Sequence, residues 1–201
     1  LVSIPIRTDP KLRADFFRYS NRAASVDWNH TFNEKNNASF SIANSRYAFN
    51  IGYEADSNTD FNLGYSVEET ELKGLNRFRI NDRHRLVYGL SGKYYRVNPG
   101  SLEPAGSGSD ISFQEIPREQ GLEGGIFISD DWEATDKLSL SGGVRLSFFT
   151  ALGPSDQTVY APGQPRNPTT AIDTLTYGSG ESIKTYGGPE VRFSARYLLD
   201  P

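Results

Sequence analysis

From Leu138 the chain alternates without a break: Leu138, Leu140, Gly142, Val144, Leu146 and Phe148 share one parity, and Ser139, Ser141, Gly143, Arg145 and Ser147 share the other. Successive side chains of a strand point to opposite faces, so this segment is a strand with one apolar and one polar face. The 201 residues contain no run of about 18 apolar residues, which excludes a spanning helix. A spanning strand needs only about 9–11 residues, half of them facing lipid. Composition agrees with strands of this kind: hydrophobic residues make up 36% and aromatics 12%, too aromatic for disorder and too polar for a helical membrane protein.

The preceding segment behaves alike. Leu122, Gly124, Ile126, Ile128 and Trp132 oppose Glu123, Gly125, Ser129, Asp131 and Glu133, with Phe127 and Asp130 out of pattern. Thr135-Asp136-Lys137 is a tight polar turn that makes the pair a hairpin. Near the end Val191, Phe193, Ala195, Tyr197 and Leu199 alternate with Arg192, Ser194 and Arg196, whose charges call for water or carboxylates such as a hydrated lumen supplies. Further strands are expected at about 22–32, 38–53, 65–80 and 86–97, making about seven. Val26, Trp28, His30 and Phe32 share one face of the first, and Leu86, Tyr88, Leu90 and Tyr94 one face of the fourth.

The connections alternate in length. Short ones fall at 33–37, 81–85 and 135–137, and long ones at about 54–64, 98–120 and 150–185. Tight turns at one end and long loops at the other characterise outer-membrane barrels, with the long loops outside the cell. A loop as long as the last is out of place in a compact soluble domain. Trp28 and Trp132 precede the expected periplasmic turns, while Tyr53, Tyr94, Tyr95, Phe148, Phe149 and Tyr186 collect at the opposite strand ends, as paired interfacial girdles would. The fold class that follows is all-β, an antiparallel transmembrane β-barrel wall in the bacterial outer membrane, with residues 1–201 forming part of a single barrel domain.

Several chemistries are set aside. The chain has no Cys and therefore neither disulfides nor thiolate metal sites. A net charge of -4 offers no basic footprint for nucleic acid. Asp56-Ser57-Asn58-Thr59-Asp60 opens like a calcium loop, but Phe61 stands where the turn needs Gly and Val67 where it needs Glu. His30 and His84 lie on different strands without metal-ligand spacing, and Asp130 faces away from Asp131 and Glu133. No nucleophile elbow, phosphate loop or dinucleotide fingerprint occurs, so neither an enzyme nor a cofactor is expected.

Seven strands is an odd number for a closed bacterial barrel, and an open wall would expose strand edges to lipid. Strands beyond both ends of the chain are therefore expected. The absence of an initial Met and of a signal peptide leads to the same expectation. An eighth strand within Leu1 to Ile6 or Arg13 to Tyr19 would instead permit a small closed barrel.

Two hairpins carry a family resemblance. Ile128-Ser129-Asp130-Asp131-Trp132, leading through Thr135-Asp136-Lys137-Leu138 to Ser141-Gly142-Gly143-Val144-Arg145, resembles a recurring hairpin of TonB-dependent outer-membrane receptors. His84, Tyr88-Gly89-Leu90, Tyr94-Tyr95 and Asn98-Pro99-Gly100 resemble an earlier hairpin of the large receptors that carry an extra N-terminal domain. Tyr186-Gly187-Gly188-Pro189-Glu190, with Arg192 to Tyr197, is similar again, so the resemblance covers roughly residues 65–201. It implies a 22-stranded barrel, a plug domain inside it, and energy from the inner-membrane TonB complex; neither a plug nor a TonB box is in this sequence. The leading expectation is then the barrel segment of a receptor importing a small-molecule, glycan or peptide ligand. Its partners would be outer-membrane lipid and, through other parts of the protein, the TonB complex. Loops carry binding more often than scaffolds, so the candidate ligand contacts are Tyr160, Arg166, Asp173 and Tyr177 in the last loop. The alternatives are a passive porin or structural outer-membrane barrel, and a soluble all-β binding module.

Overall fold

The computed structural model describes residues 2–6, 14–54 and 58–199. Its strands are β1 (Val2–Ile6), β2 (Ala14–Asn33), β3 (Asn36–Glu54), β4 (Phe61–Arg79), β5 (His84–Pro104), β6 (Gln114–Glu115), β7 (Glu119–Glu133), β8 (Leu138–Leu152), β9 (Ser155–Tyr160), β10 (Ala171–Tyr177) and β11 (Ser182–Tyr197), with a short 3-10 helix at Pro168–Thr170. One antiparallel sheet runs in the order β1-β2-β3-β4-β5-β7-β8-β11, with β6 added on β5. The β9–β10 hairpin stands apart as a second, two-stranded sheet.

Cross-strand pairs share a face, so the ladder sorts the side chains without ambiguity. Leu146 pairs with Ile126, Ile126 with Leu90, Leu90 with Gly74, Gly74 with Phe40 and Phe40 with Trp28, one apolar row across six strands. One residue along each strand the row reads Ser147, Gly125, Ser91, Lys73, Ser41 and Asp27 on the opposite face. The first face is the outer, lipid-facing one and the second the inner, lumenal one. Nothing packs between sheets: among the described residues the one buried hydrophobic side chain is Ala38. Leu72, Leu90, Ile126 and Leu146 are all exposed. A soluble sandwich or barrel would pack such rows into a core, and the described residues form none. For this face the apolar medium is the bilayer.

The two exceptions to the alternation in β7 now have causes. Phe127 points inward and lays its ring over Gly89 of β5, where a Cβ would sit about 3.0 Å from the ring. Asp130 points outward, and His84 Nδ1 lies 2.6 Å from its carboxylate while the His84 ring stacks on Trp132 at 5.6 Å. Trp28 stacks likewise on His30 and Phe40.

Three expectations change, and the expected open wall holds. The main sheet has eight long-path strands rather than about seven, the additional one being Val2–Ile6. That strand pairs only with β2 and not with β11, so the described strands form an open wall and not a small closed barrel. Most strands run further toward the long loops than the alternation suggested: β2 reaches back to Ala14, β5 on to Pro104, and β11 starts at Ser182. Past the hydrocarbon band the outer face becomes polar, and the two-state pattern that marks a membrane strand stops although pairing continues. The girdle at the long-loop end is also thinner than expected. Of its six aromatics, Tyr94 and Phe148 face outward, whereas Tyr53, Tyr95, Phe149 and Tyr186 share the inner face. Adjacent residues such as Tyr94 and Tyr95 cannot both face lipid.

Substitutions to arginine discriminate the faces. Val144→Arg on the outer face should cost about 2–4 kcal/mol at midplane depth, whereas Ser141→Arg, facing inward beside Asp131, should cost little. Urea unfolding in lipid vesicles would measure both; equal costs would contradict the assignment of faces.

Candidate functional site

The inner face carries a charge network that crosses five strands. Lys93 on β5 sits 3.2 Å from Glu69 and 3.5 Å from Glu71 of β4, and Lys73 lies 2.8 Å from Glu71. Tyr95 donates its hydroxyl proton to Glu123 of β7 at 3.0 Å. Arg145 of β8 donates to the Ser91 hydroxyl at 3.1 Å and lies 4.0 Å from Glu190 of β11, which also accepts from Ser147. Toward the tight turns, Ser141 bonds Asp131 and Arg85 lies 2.8 Å from Glu133. The register makes this network: Lys93 faces Glu71 on one side and Glu123 on the other. A groove of about 500 Å³ runs along it, lined by Asp27, Ser41, Glu71, Lys93, Glu123 and Arg145 among others. Both signs of charge are present, so the wall can hold polar, hydrated surfaces without selecting one sign of ligand. Arg192 and Arg196 join this inner face opposite Gly143 and Ser139.

The four loop residues fall into two groups. Tyr160 ends β9, and the Arg166 guanidinium lies 5.9 Å from its ring centroid, the span of a cation–π contact. Asp173 lies opposite Val159 and Tyr177 opposite Ser155, both on the other face of the hairpin. The bulge between Ala171 and Asp173 separates the two pairs further. The structure thus brings Tyr160 to Arg166 at the hairpin tip and leaves Tyr177 at its base, about five residues or roughly 17 Å away along the strand. Asn167 caps the 3-10 turn between β9 and β10 by accepting from the backbone N–H groups of Thr169 and Thr170, so the tip is an ordered structure. Two other long connections are tied together, as Ser109 donates to the carbonyl of Asp60 at 2.6 Å and the N–H of Asp110 to that of Asn58 at 2.8 Å. The calcium-like stretch at Asp56 lies partly outside the described residues.

An antiparallel wall with one lipid-facing and one hydrated face, tight turns at one end and long loops at the other, is an outer-membrane β-barrel wall. This chain belongs to the TonB dependent receptor-like β-barrel family, whose model matches residues 2–196. Among solved structures it is similar to the copper transporter OprC, with a TM-score of 0.62 at 14% identity over 98% of this chain. It is also similar to the ferric-catecholate import receptor Fiu from E. coli K12, with a TM-score of 0.51 at 14% identity over 92% of this chain. At such identity the likeness speaks for the fold. The chain spans 34% of the length of each of those two structures. No curated protein sequence matches it.

Sequence reasoning placed the loop candidates but did not find Glu69, Glu71 and Lys93 as a group. Each lies on a polar parity that is visible in the sequence, yet only the register brings the three together. A double-mutant cycle on Lys93→Ala and Glu69→Ala should give a coupling of about 0.5–1 kcal/mol that shrinks with added salt. A coupling of zero at low salt would mean that the pair is held by the backbone alone.

Proposed function

We propose that this wall is the barrel segment of a receptor that imports a nutrient ligand across the outer membrane. Its inner face would surround a plug domain, and the β9–β10 hairpin would supply part of the extracellular capture surface. The observation that carries this reading is the combination of a lumenal charge network with an ordered hairpin at the long-loop end of the same wall. Strands outside this chain would complete the barrel on both open edges, since unpaired edges are untenable in lipid. Plug, TonB box and leader would belong to parts outside it too. Energy would reach the receptor through the TonB complex by way of those parts. The two structural neighbours carry different cargoes by their names, copper and a ferric catecholate. The shared wall therefore supports import in general and leaves the ligand to the loops. Tyr160 and Arg166, which meet at the hairpin tip, would suit a polar ligand with a flat face, while Asp173 and Tyr177 would offer polar contacts on the other face of the hairpin.

The hairpin can be removed without opening the wall. The N–H of Gly153 donates to the carbonyl of Glu181 at 2.8 Å and that of Gly180 to Gly153 at 2.9 Å, so the hairpin base is already closed. Excising 155–177 and joining the base by a short turn should lower uptake at least about tenfold while the barrel still assembles and shifts on heating in gels. Unchanged uptake of the receptor's nutrient would remove the hairpin from ligand capture.

A further inference from the structure

The outer face of β2–β5 changes character above the apolar band. The row Val26, Ile42 and Leu72 is apolar. Toward the long loops it is followed by Ala24, Asn44, Thr70 and Tyr94, and then by Arg22, Arg46, Glu68 and Arg96. Next come Ser20, Ala48, Ser66 and Asn98, and then Arg18, Asn50, Gly64 and Ser101. The arginine row lies four residues beyond the apolar row, about 13 Å along the strand and roughly 9 Å in height for a strand tilted by 45°. Arg22 is also eleven residues from Asn33 at the tight turn, roughly 26 Å in height at the same tilt against an apolar band about 25 Å tall, which puts it at headgroup depth on the extracellular side.

The small residues make a hollow there. A depression of about 230 Å³ is lined by Arg18, Ser20, Arg46, Asn50, Asn98 and Ser101 among others. Gly64 leaves its floor open, for a Cβ there would meet the Ser101 hydroxyl at 3.2 Å and the Asn50 amide at 3.7 Å, which places both side chains on the outer face. No carboxylate lines the depression. Arg22 and Arg46 stand directly opposite each other, an arrangement that is unfavourable for like charges unless an anion lies between them. Glu68 stands opposite Arg46 on its other side, but it is also held by Arg96 at 2.9 Å and by the Asn44 amide at 3.4 Å, so one carboxylate serves the three guanidinium groups of Arg22, Arg46 and Arg96 in this row. Glu103 also lies on this face, one row above the depression.

We propose that this depression and the Arg22–Arg46 pair bind the phosphate of a lipid headgroup in the outer leaflet. Guanidinium groups hold phosphate oxygens by charge-assisted, bidentate hydrogen bonds, and the serine and asparagine side chains add neutral donors. The acyl chains of the same molecule lie down the apolar row of Val26, Ile42 and Leu72 and onto Phe40 and Leu90 in the next outward-facing row below it. A free phosphate satisfies the upper half of the site alone; the continuity of the two halves on one face favours an amphiphile. The site faces away from the lumen, so it does not depend on which ligand the receptor imports.

The test uses the full-length receptor purified in detergent and reconstituted in phosphatidylethanolamine nanodiscs doped with bis-phosphorylated lipid A, with native mass spectrometry counting retained lipid. The wild type and an Arg83→Gln control at a tight turn should retain lipid A. The double variant Arg22→Gln/Arg46→Gln and the depression-filling Ala48→Phe should each retain it about tenfold less. Ala48→Phe keeps every charge, so it reports on the site even where the double variant folds poorly, and heat-modifiable gel mobility confirms each fold. Dephosphorylated lipid A should not compete, nor should inorganic phosphate. Retention unchanged in both variants, or equal competition by the dephosphorylated lipid, would overturn the site. Displacement by inorganic phosphate would overturn the lipid as its occupant.

Discussion

Every part of this structure depends on the antiparallel ladder satisfying its own backbone hydrogen bonds where no water can. In a bilayer an unpaired N–H or C=O costs several kcal/mol, which leaves paired strands as the form for a chain with no long apolar run. Once the ladder exists, strict alternation divides each strand between two solvents, hydrocarbon and water. The rows Leu146–Ile126–Leu90–Phe40–Trp28 and Ser147–Ser91–Lys73–Ser41–Asp27 are the two consequences of one set of hydrogen bonds. A slip of one residue in the pairing of β5 would turn Lys93 toward lipid and Leu90 toward water, so register is held by the faces themselves.

The ladder also explains the glycines and aromatics. Phe148 covers Gly124 across the β7–β8 pair, with a Cβ there falling 2.6 Å from the ring. Phe127 does the same over Gly89 from the inner side. An aromatic ring lying across a glycine keeps apolar contact continuous where the backbone needs room, at positions the sequence shows as glycines within strands.

Much of the fold was readable from the chain alone, and the limits of that reading have physical causes. The strand segments within the bilayer, the tight turns and their alternation with long loops followed from period-2 patterning. The strand ends did not, because in β2 and β5 the outer face turns to Arg22, Ser20, Arg18 and to Arg96, Asn98 above the apolar band, and polar residues on both faces look like loop. The β9–β10 hairpin was hidden for the same reason inside a stretch rich in Gly and Pro. Candidate loop residues were chosen by chemistry, and only three-dimensional placement shows that Tyr160 and Arg166 form one group while Asp173 and Tyr177 lie on the other face. The lumenal cluster of Glu69, Glu71 and Lys93 was invisible because residues 22 and more apart in sequence meet only through register.

The central claim is that this sheet has a lipid face and a water face. The chain has no cysteine, so single cysteines placed one at a time along 138–149 in the intact receptor have a clean background. Treating whole cells with lipid-soluble and water-soluble thiol reagents then reads each position. The structure predicts lipid-soluble labelling at Leu140, Val144 and Leu146, none at Ser141 or Arg145, and labelling of the 155–177 hairpin from outside the cell by the water-soluble reagent. Lipid-reagent labelling that ignores this alternation, with a hairpin unreachable from outside, would contradict the barrel wall and its orientation together.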